Sequence, residues 1–145
     1  MQIVIDTSVA FKWIFRQEPG AWRALLLLRS HLLGERRLVV PSFFNYEAPH
    51  ALAHTKHGLS LPEVRAALAF VRGLRLAVHP MSAGLERSAL QLKYEYGLPV
   101  FDGYFVATAI RRKCKFVTAD KKAYNCVSKL SFVELLSDAP LVIEE

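Results

Sequence analysis

The sequence predicts an α/β fold, a central parallel sheet of short strands flanked by helices on both faces. Three observations carry this. Short apolar runs alternate with helix-length stretches, the runs lack a polar face, and Gly or Pro marks most of the joins. Gln2 to Ile5 reads as a first strand that ends at Asp6. Val9, Phe11, Trp13 and Ile14 mark a short helix before the Pro19-Gly20 break. A second helix is expected from about Ala21 to Leu33, and Arg37 to Val40 forms the next strand, closed by Pro41. Helical signals run from Ser42 to about His57 and stop at Gly58.

Ser60-Leu61-Pro62-Glu63 is a capping box that opens a helix reaching Val71. Leu76 to His79 is a third strand ended by Pro80. Ser82 to Tyr96 is helical up to Gly97 and Pro99, and Asp102 opens a further helix through Arg112. Lys115 to Thr118 is a β-branched and aromatic strand ending near Asp120, and a last strand is expected around Leu130 to Val133. No linker, internal repeat or low-complexity segment divides the chain, so residues 1–145 are expected to form a single domain.

At 52% apolar residues and few Gly and Pro, the chain can bury a core, and disordered or fibrous classes are excluded. The first residues read as a strand rather than a signal peptide. The most apolar segment, Leu25 to Leu33, is interrupted by Arg29 and His31 and is too short to span a bilayer. Cys114 and Cys126 are too few for a disulfide framework and are expected as reduced thiols. A cytoplasmic protein with no membrane association is the expectation. The net charge of +6 points to a polyanionic partner such as nucleic acid.

In such sheets ligands bind outside the carboxyl ends of the strands. Asp6 and Asp120 follow strands, Glu47 lies about a turn into a helix after one, and Asp102 stands at a helix start, so all four acids fall at one edge. Each alone has an ordinary explanation: a helix cap, an Asx turn, a loop charge or a solvated helix residue. Together they repel, by roughly 3 kcal/mol per pair at ~5 Å and an effective dielectric of about 20, so a fold that keeps them needs something to neutralise them. Hard oxygen donors without Cys or His favour Mg²⁺, or Mn²⁺, and a cation so held can activate water and stabilise charge on a phosphodiester.

Ile3-Val-Ile-Asp6-Thr-Ser8, Tyr46-Glu47, Phe101-Asp102-Gly103 and Val117-Thr-Ala-Asp120-Lys-Lys122 resemble, in order and spacing, the signature of the PIN-domain family, and within it the VapC-type toxins. The resemblance covers essentially the whole chain. It implies Asp6, Glu47, Asp102 and Asp120 as catalytic metal ligands, with Ser8 and Thr118 as polar support. It also implies magnesium-dependent cleavage of RNA by an endonuclease, a VapB-type antitoxin partner and homodimerisation. The chain departs from the pattern at His50, where Asn is expected, and at Phe105, where Tyr is usual. Pro49, two residues after Glu47, predicts a kink beside the site.

Glu47, His50, His54 and His57 fall on one arc of a helix, but ten residues of helix span about 15 Å, too far for one ion to gather them. They read as a polar flank, with only His50 within reach of the carboxylates. Setting the four acids aside leaves nine acids against 19 basic residues, an acidic pit in a basic surface. Lys12 and Lys121, nearest the site in sequence, are the expected RNA phosphate contacts. Leu25 to Leu28 makes a helical turn apolar on all sides, so this helix is either buried deeply or, the reading favoured for so small a domain, meets another chain.

Two rivals come from other classes. A phosphoacceptor or phosphatase also places Asp after the first strand, but the neighbours Ile5 and Ser8 fit neither pattern. A non-catalytic RNA-binding or scaffold protein of PIN-like fold could shed its acids, and all four are present. A nucleotide-binding enzyme lacks its motifs here, since there is neither a G-x-G-x-x-G nor a P-loop.

Overall fold

The computed structural model describes residues 1–138. The chain runs β1 (Gln2–Ile5), α1 (Thr7–Ile14), α2 (Ala21–Leu32), β2 (Arg37–Pro41), α3 (Phe44–Ala53), α4 (Leu61–Gly73), β3 (Ala77–His79), α5 (Ala83–Tyr96), α6 (Val100–Arg112), β4 (Lys115–Thr118), α7 (Lys121–Val127) and β5 (Val133–Leu135), followed by a 3-10 turn over Leu136–Asp138. All strand pairs are parallel and the spatial order is β3-β2-β1-β4-β5. Val4 at the centre is in register with Val39 on one side and Phe116 on the other. The order reverses between β1 and β4, the topological switch point where an open α/β sheet forms its crevice.

Both faces of the sheet are covered. Successive strand residues point to opposite faces, and Ile3, Val4 and Ile5 are all buried, as are Leu38, Val39 and Val40. The layers are tied by polar contacts as well as packing. The Trp13 indole donates to the carbonyl of Ala24 (2.8 Å), joining α1 to α2. His31 accepts the Leu38 amide at Nδ1 (3.1 Å) and so donates from Nε2 to the carbonyl of Leu74 (2.8 Å). The histidine is thus a strut between α2, β2 and the end of α4. The Ser60–Glu63 capping box forms as expected.

Several boundaries differ from the sequence expectation, for local reasons. α3 ends at Ala53, not near His57, and remains one continuous helix through Pro49. Beyond it, His57 leaves the helix axis to stack on Phe15 (4.0 Å) and to bond Glu18 (3.0 Å). α6 begins at Val100 rather than Asp102, with Pro99 at the cap. The last strand starts at Val133, because Leu130 and Val133 are used in a turn whose amides bond Val127 and Leu130. α7 was not anticipated at all; its cap is Asp120.

Much of the apolar turn of α2 is covered from within the chain: Leu27 and Leu28 are buried, Leu25 packs on the core and Leu26 is half-buried. α1, β2 and the 3-10 turn lie against this helix, while Trp22 and Leu32 near its two ends are exposed. No helix among the described residues is long and apolar enough to cross a membrane.

The closest helix pairing is α5 on α6, and Gly103 makes it possible. A Cβ added there would stand 3.1 Å from the carbonyl oxygen of Ala89 and 3.2 Å from its Cα. We expect Gly103→Val to lose about 1–3 kcal/mol of unfolding free energy by overpacking this contact, read from urea denaturation. An unchanged midpoint would show that α5 and α6 can separate freely.

Candidate active site

Four helices, α1, α3, α6 and α7, begin at the carboxyl edge of the sheet, and each carries one of the four acids at its start. Asp6 caps α1 and Asp120 caps α7, while Glu47 and Asp102 lie in the first turns of α3 and α6. α6 leads back into β4, which is why its first turn returns to that edge. Helix N-termini favour negative charge, so the topology itself gathers carboxylates here.

Asp6 is the most enclosed, 8% exposed. Its Oδ1 accepts from Ser8 Oγ and from the Val9 amide, and its Oδ2 accepts from Thr118 Oγ1. The two hydroxyls do more than donate. Ser8 Oγ accepts the Ala119 amide (2.9 Å) and Thr118 Oγ1 accepts the Asp120 amide (3.0 Å). Asp6 is thereby bound, through two side chains, to the turn between β4 and α7. Burial pushes its carboxyl up to about 6, against the pull of these donors, and the charge of Asp102 adds to the rise.

Glu47 accepts from Thr7 Oγ1, a contact across 40 residues of sequence. Burial raises its carboxyl, while Thr7 and the nearby His50 pull it down. Asp120 accepts the amides of Lys122 (2.9 Å) and Ala123 (3.3 Å). Asp102 differs from the rest. Burial, then the charges of Asp120 and Glu47, push it up to about 6, and no donor offsets them. Its helix starts two residues earlier, so Asp102 is not spent as a cap.

The structure thus brings Asp6, Glu47, Asp102 and Asp120 into one electrostatic unit, with Ser8 and Thr118 as donors to Asp6. Among the described residues no three His, Cys, Asp or Glu side chains are drawn in tightly enough to share an ion as they stand. Thr7 was missed by sequence reasoning; its only signal was its place beside Asp6. The histidines do not assemble: His50 and His54 pack ring to ring (4.3 Å) and His57 has turned to Glu18.

Lys12 and Lys121 meet at a pocket of about 270 Å³ that Ala119, Leu135 and Ser137 also line, next to the Asp120 turn. Lys121 is exposed there, whereas the Lys12 amine lies 3.4 Å from Glu18 Oε1. Both cysteines are free thiols.

The PIN domain family matches residues 3–137. The chain belongs to that family. No curated protein matches it significantly in sequence. Among solved structures, the PIN fold is shared with VapBC2 from Rickettsia felis, crystallised with a promoter DNA fragment (TM-score 0.67, 17% identity, 93% of this chain and 98% of that one). It is shared with the Mycobacterium tuberculosis toxin VapC20, described as cleaving the sarcin–ricin loop (TM-score 0.64, 15% identity, 91% and 97%). DNA-bound VapBC from Salmonella typhimurium is similar as well (TM-score 0.63, 16% identity, 94% and 98%). At these identities the likeness is one of fold.

The raised Asp6 value has a consequence for stability. A carboxyl near 6 in the folded chain, against an ordinary 3.8, holds its proton more tightly folded than unfolded. It therefore weakens the fold above about pH 6, and that penalty is relieved as pH falls from 6 towards 4. Chelator-treated wild type should gain melting temperature over that interval. Asp6→Asn should gain less, and at pH 7 should equal or exceed wild type by on the order of 1 kcal/mol. A destabilised Asp6→Asn beside a pH-insensitive wild type would make Asp6 a simple turn residue.

Proposed function

We propose that this PIN-domain protein is a metal-dependent endoribonuclease, the VapC-type toxin of a toxin–antitoxin pair. The observation that carries this is Asp102: a half-buried carboxylate, pushed up to about 6 beside Asp120 and Glu47, with no hydrogen-bond donor to compensate it. A structural acid is normally satisfied where it stands. The Asp102 oxygens stay open to solvent with no protein donor among the described residues bonded to them, so they are available to a cation.

The donor set fits a hard divalent ion. Every acid offers carboxylate oxygen, no thiol is among them, and the unneutralised charge favours a cation over protons near neutral pH. Asp6, Glu47, Asp102 and Asp120 would hold Mg²⁺, or Mn²⁺. The bound ion would lower the pKa of its water and neutralise charge on the phosphodiester.

The chain's own residues supply the rest. Ser8 and Thr118 hold both oxygens of Asp6 and so fix the plane of its carboxylate. Thr7 does the same for one oxygen of Glu47. Glu47 and Asp120 would complete the site or orient the attacking water. Lys121, exposed beside the Asp120 turn, would take the RNA phosphate, and Lys12 would join it on release from Glu18. The surplus of basic residues elsewhere favours a polyanion lying across the edge.

The antitoxin is proposed as a VapB-type protein because similar folds are recorded in VapBC complexes, and a homodimer of this chain is proposed from the family resemblance alone. A groove of about 450 Å³ between the end of α1 and α4 offers that partner an apolar seat, where Phe70, Ala66 and Leu59 face Ile14 and Phe15. Such a partner, like the RNA, would meet the protein in the cytoplasm.

The decisive experiment is cleavage of a single-stranded RNA with Mg²⁺, with Mn²⁺ and with chelator. Wild type should cut only with a cation, and Asp102→Asn, folded by circular dichroism, should be at least about 100-fold slower, since an amide keeps the shape but not the charge. Equal rates with chelator, or in folded Asp102→Asn, would overturn the assignment.

A further inference from the structure

Beside the acids stands a column of aromatic rings that the metal chemistry does not use. Phe105, 1% exposed, anchors it in the core. Phe43 meets Phe105 edge-on (6.3 Å between centroids, 78° between planes) and stacks nearly parallel on Phe101 (4.8 Å, 17°). Tyr104 leans on Phe43 from the flank (5.6 Å). The column ends in solvent: Phe101 is 61% exposed although Phe43 covers one of its faces. A ring stacked on one side and still so exposed presents its second face outward.

Its position matters as much as its shape. Phe101 directly precedes Asp102, and Phe43 lies one helical turn before Glu47, whose amide bonds the Phe43 carbonyl (3.0 Å). The ring pair therefore bridges the starts of the two helices that carry those acids. Tyr46, directly before Glu47, is 78% exposed. The large exposed apolar residues next to the acids in sequence are thus both aromatic, whereas the exposed aliphatic Ile110 stands at the far end of α6 and Leu32 and Val78 lie on other elements. A fixed, flat π face next to an acidic site on a basic chain suits a nucleobase.

We propose that the outer face of Phe101 is a stacking surface for an unpaired base of the RNA, next to the phosphodiester to be cut. This deepens the ribonuclease reading and rests on it. Stacking accepts any base, since each has a π face, but it requires one that is not paired and stacked within a duplex. Phe101 would therefore select single-stranded or looped RNA rather than a base sequence. Phe43 and Phe105 are positioning residues, which hold the ring still before the base arrives.

The test is steady-state cleavage of a short single-stranded RNA with Mg²⁺, in which one position at a time is made abasic. Phe101→Ala should raise KM roughly 10-fold with little change in kcat, and Phe101→Trp should restore it. Phe101→Leu keeps the packing on Phe43 without a π face, so it should behave like Phe101→Ala. One abasic position should weaken wild type about as much as Phe101→Ala does, and should cost Phe101→Ala nothing further. An unchanged KM in Phe101→Ala, or rescue by leucine, overturns the stacking surface while leaving the nuclease assignment intact. So does a loss of self-association in Phe101→Ala with unchanged KM, which would make the ring a contact between copies. A wild type that cuts no RNA overturns both.

Discussion

The buried carboxylate of Asp6 is the point on which the carboxyl edge of this sheet depends. It sits at the switch between β1 and β4, where the crossovers diverge and no helix spans the gap. Its two oxygens reach opposite ways. One takes Ser8 and the start of α1, the other takes Thr118 at the end of β4. Since both hydroxyls also accept amides of the following turn, Asp6 orders the approach of Asp120 as well. A buried charge without such partners would cost several kcal/mol. With them it becomes the clamp that joins two strands at the crevice.

Two opposing effects act on the four acids, and their sizes decide the outcome. Each helix start favours a carboxylate by roughly 0.3–1 kcal/mol. Like charges at ~5 Å repel by about 3 kcal/mol under an effective dielectric near 20, and burial adds to that. Asp102 registers the result. It lies in the first turn of α6, where the helix favours its charge, and is nonetheless pushed up to about 6. Repulsion and desolvation win, so the four N-termini explain why the acids can gather but not what balances them.

Much of this was legible in the sequence, and the misses share a cause. Asp6 could be read because a strand end is a local feature, whereas Ser8 and Thr118 came only with the family resemblance. Glu47 and Asp102 could be read from the Pro and Gly breaks that precede their helices. The Thr7–Glu47 bond could not, since it spans 40 residues and joins two elements whose relative placement only the sheet determines. α7 was invisible because Tyr124, Asn125 and Cys126 have little helix propensity; the Asp120 cap and the burial of Ala123 and Val127 make up for it. The cover on the apolar turn of α2 was illegible for a related reason: α1, β2 and the 3-10 turn that bury Leu27 and Leu28 arrive from distant sequence.

The acids also divide by how they are held, and the division bears on mechanism. Asp6 is fixed by two hydroxyls and an amide, Glu47 by one hydroxyl, and Asp120 by the two amides it caps. Asp102 alone is tied by nothing but its helix, and it carries the least compensated charge. On the nuclease reading, three ligands are set in place by the fold and the fourth is free to turn towards the cation. A cation there would offset both the burial and the repulsion that raise Asp102, and little would be spent on ordering the other three. The same arrangement explains the place of Gly103. By letting α6 lie against Ala89, it fixes the helix that presents Asp102, so that the one untethered carboxylate still starts from a defined position.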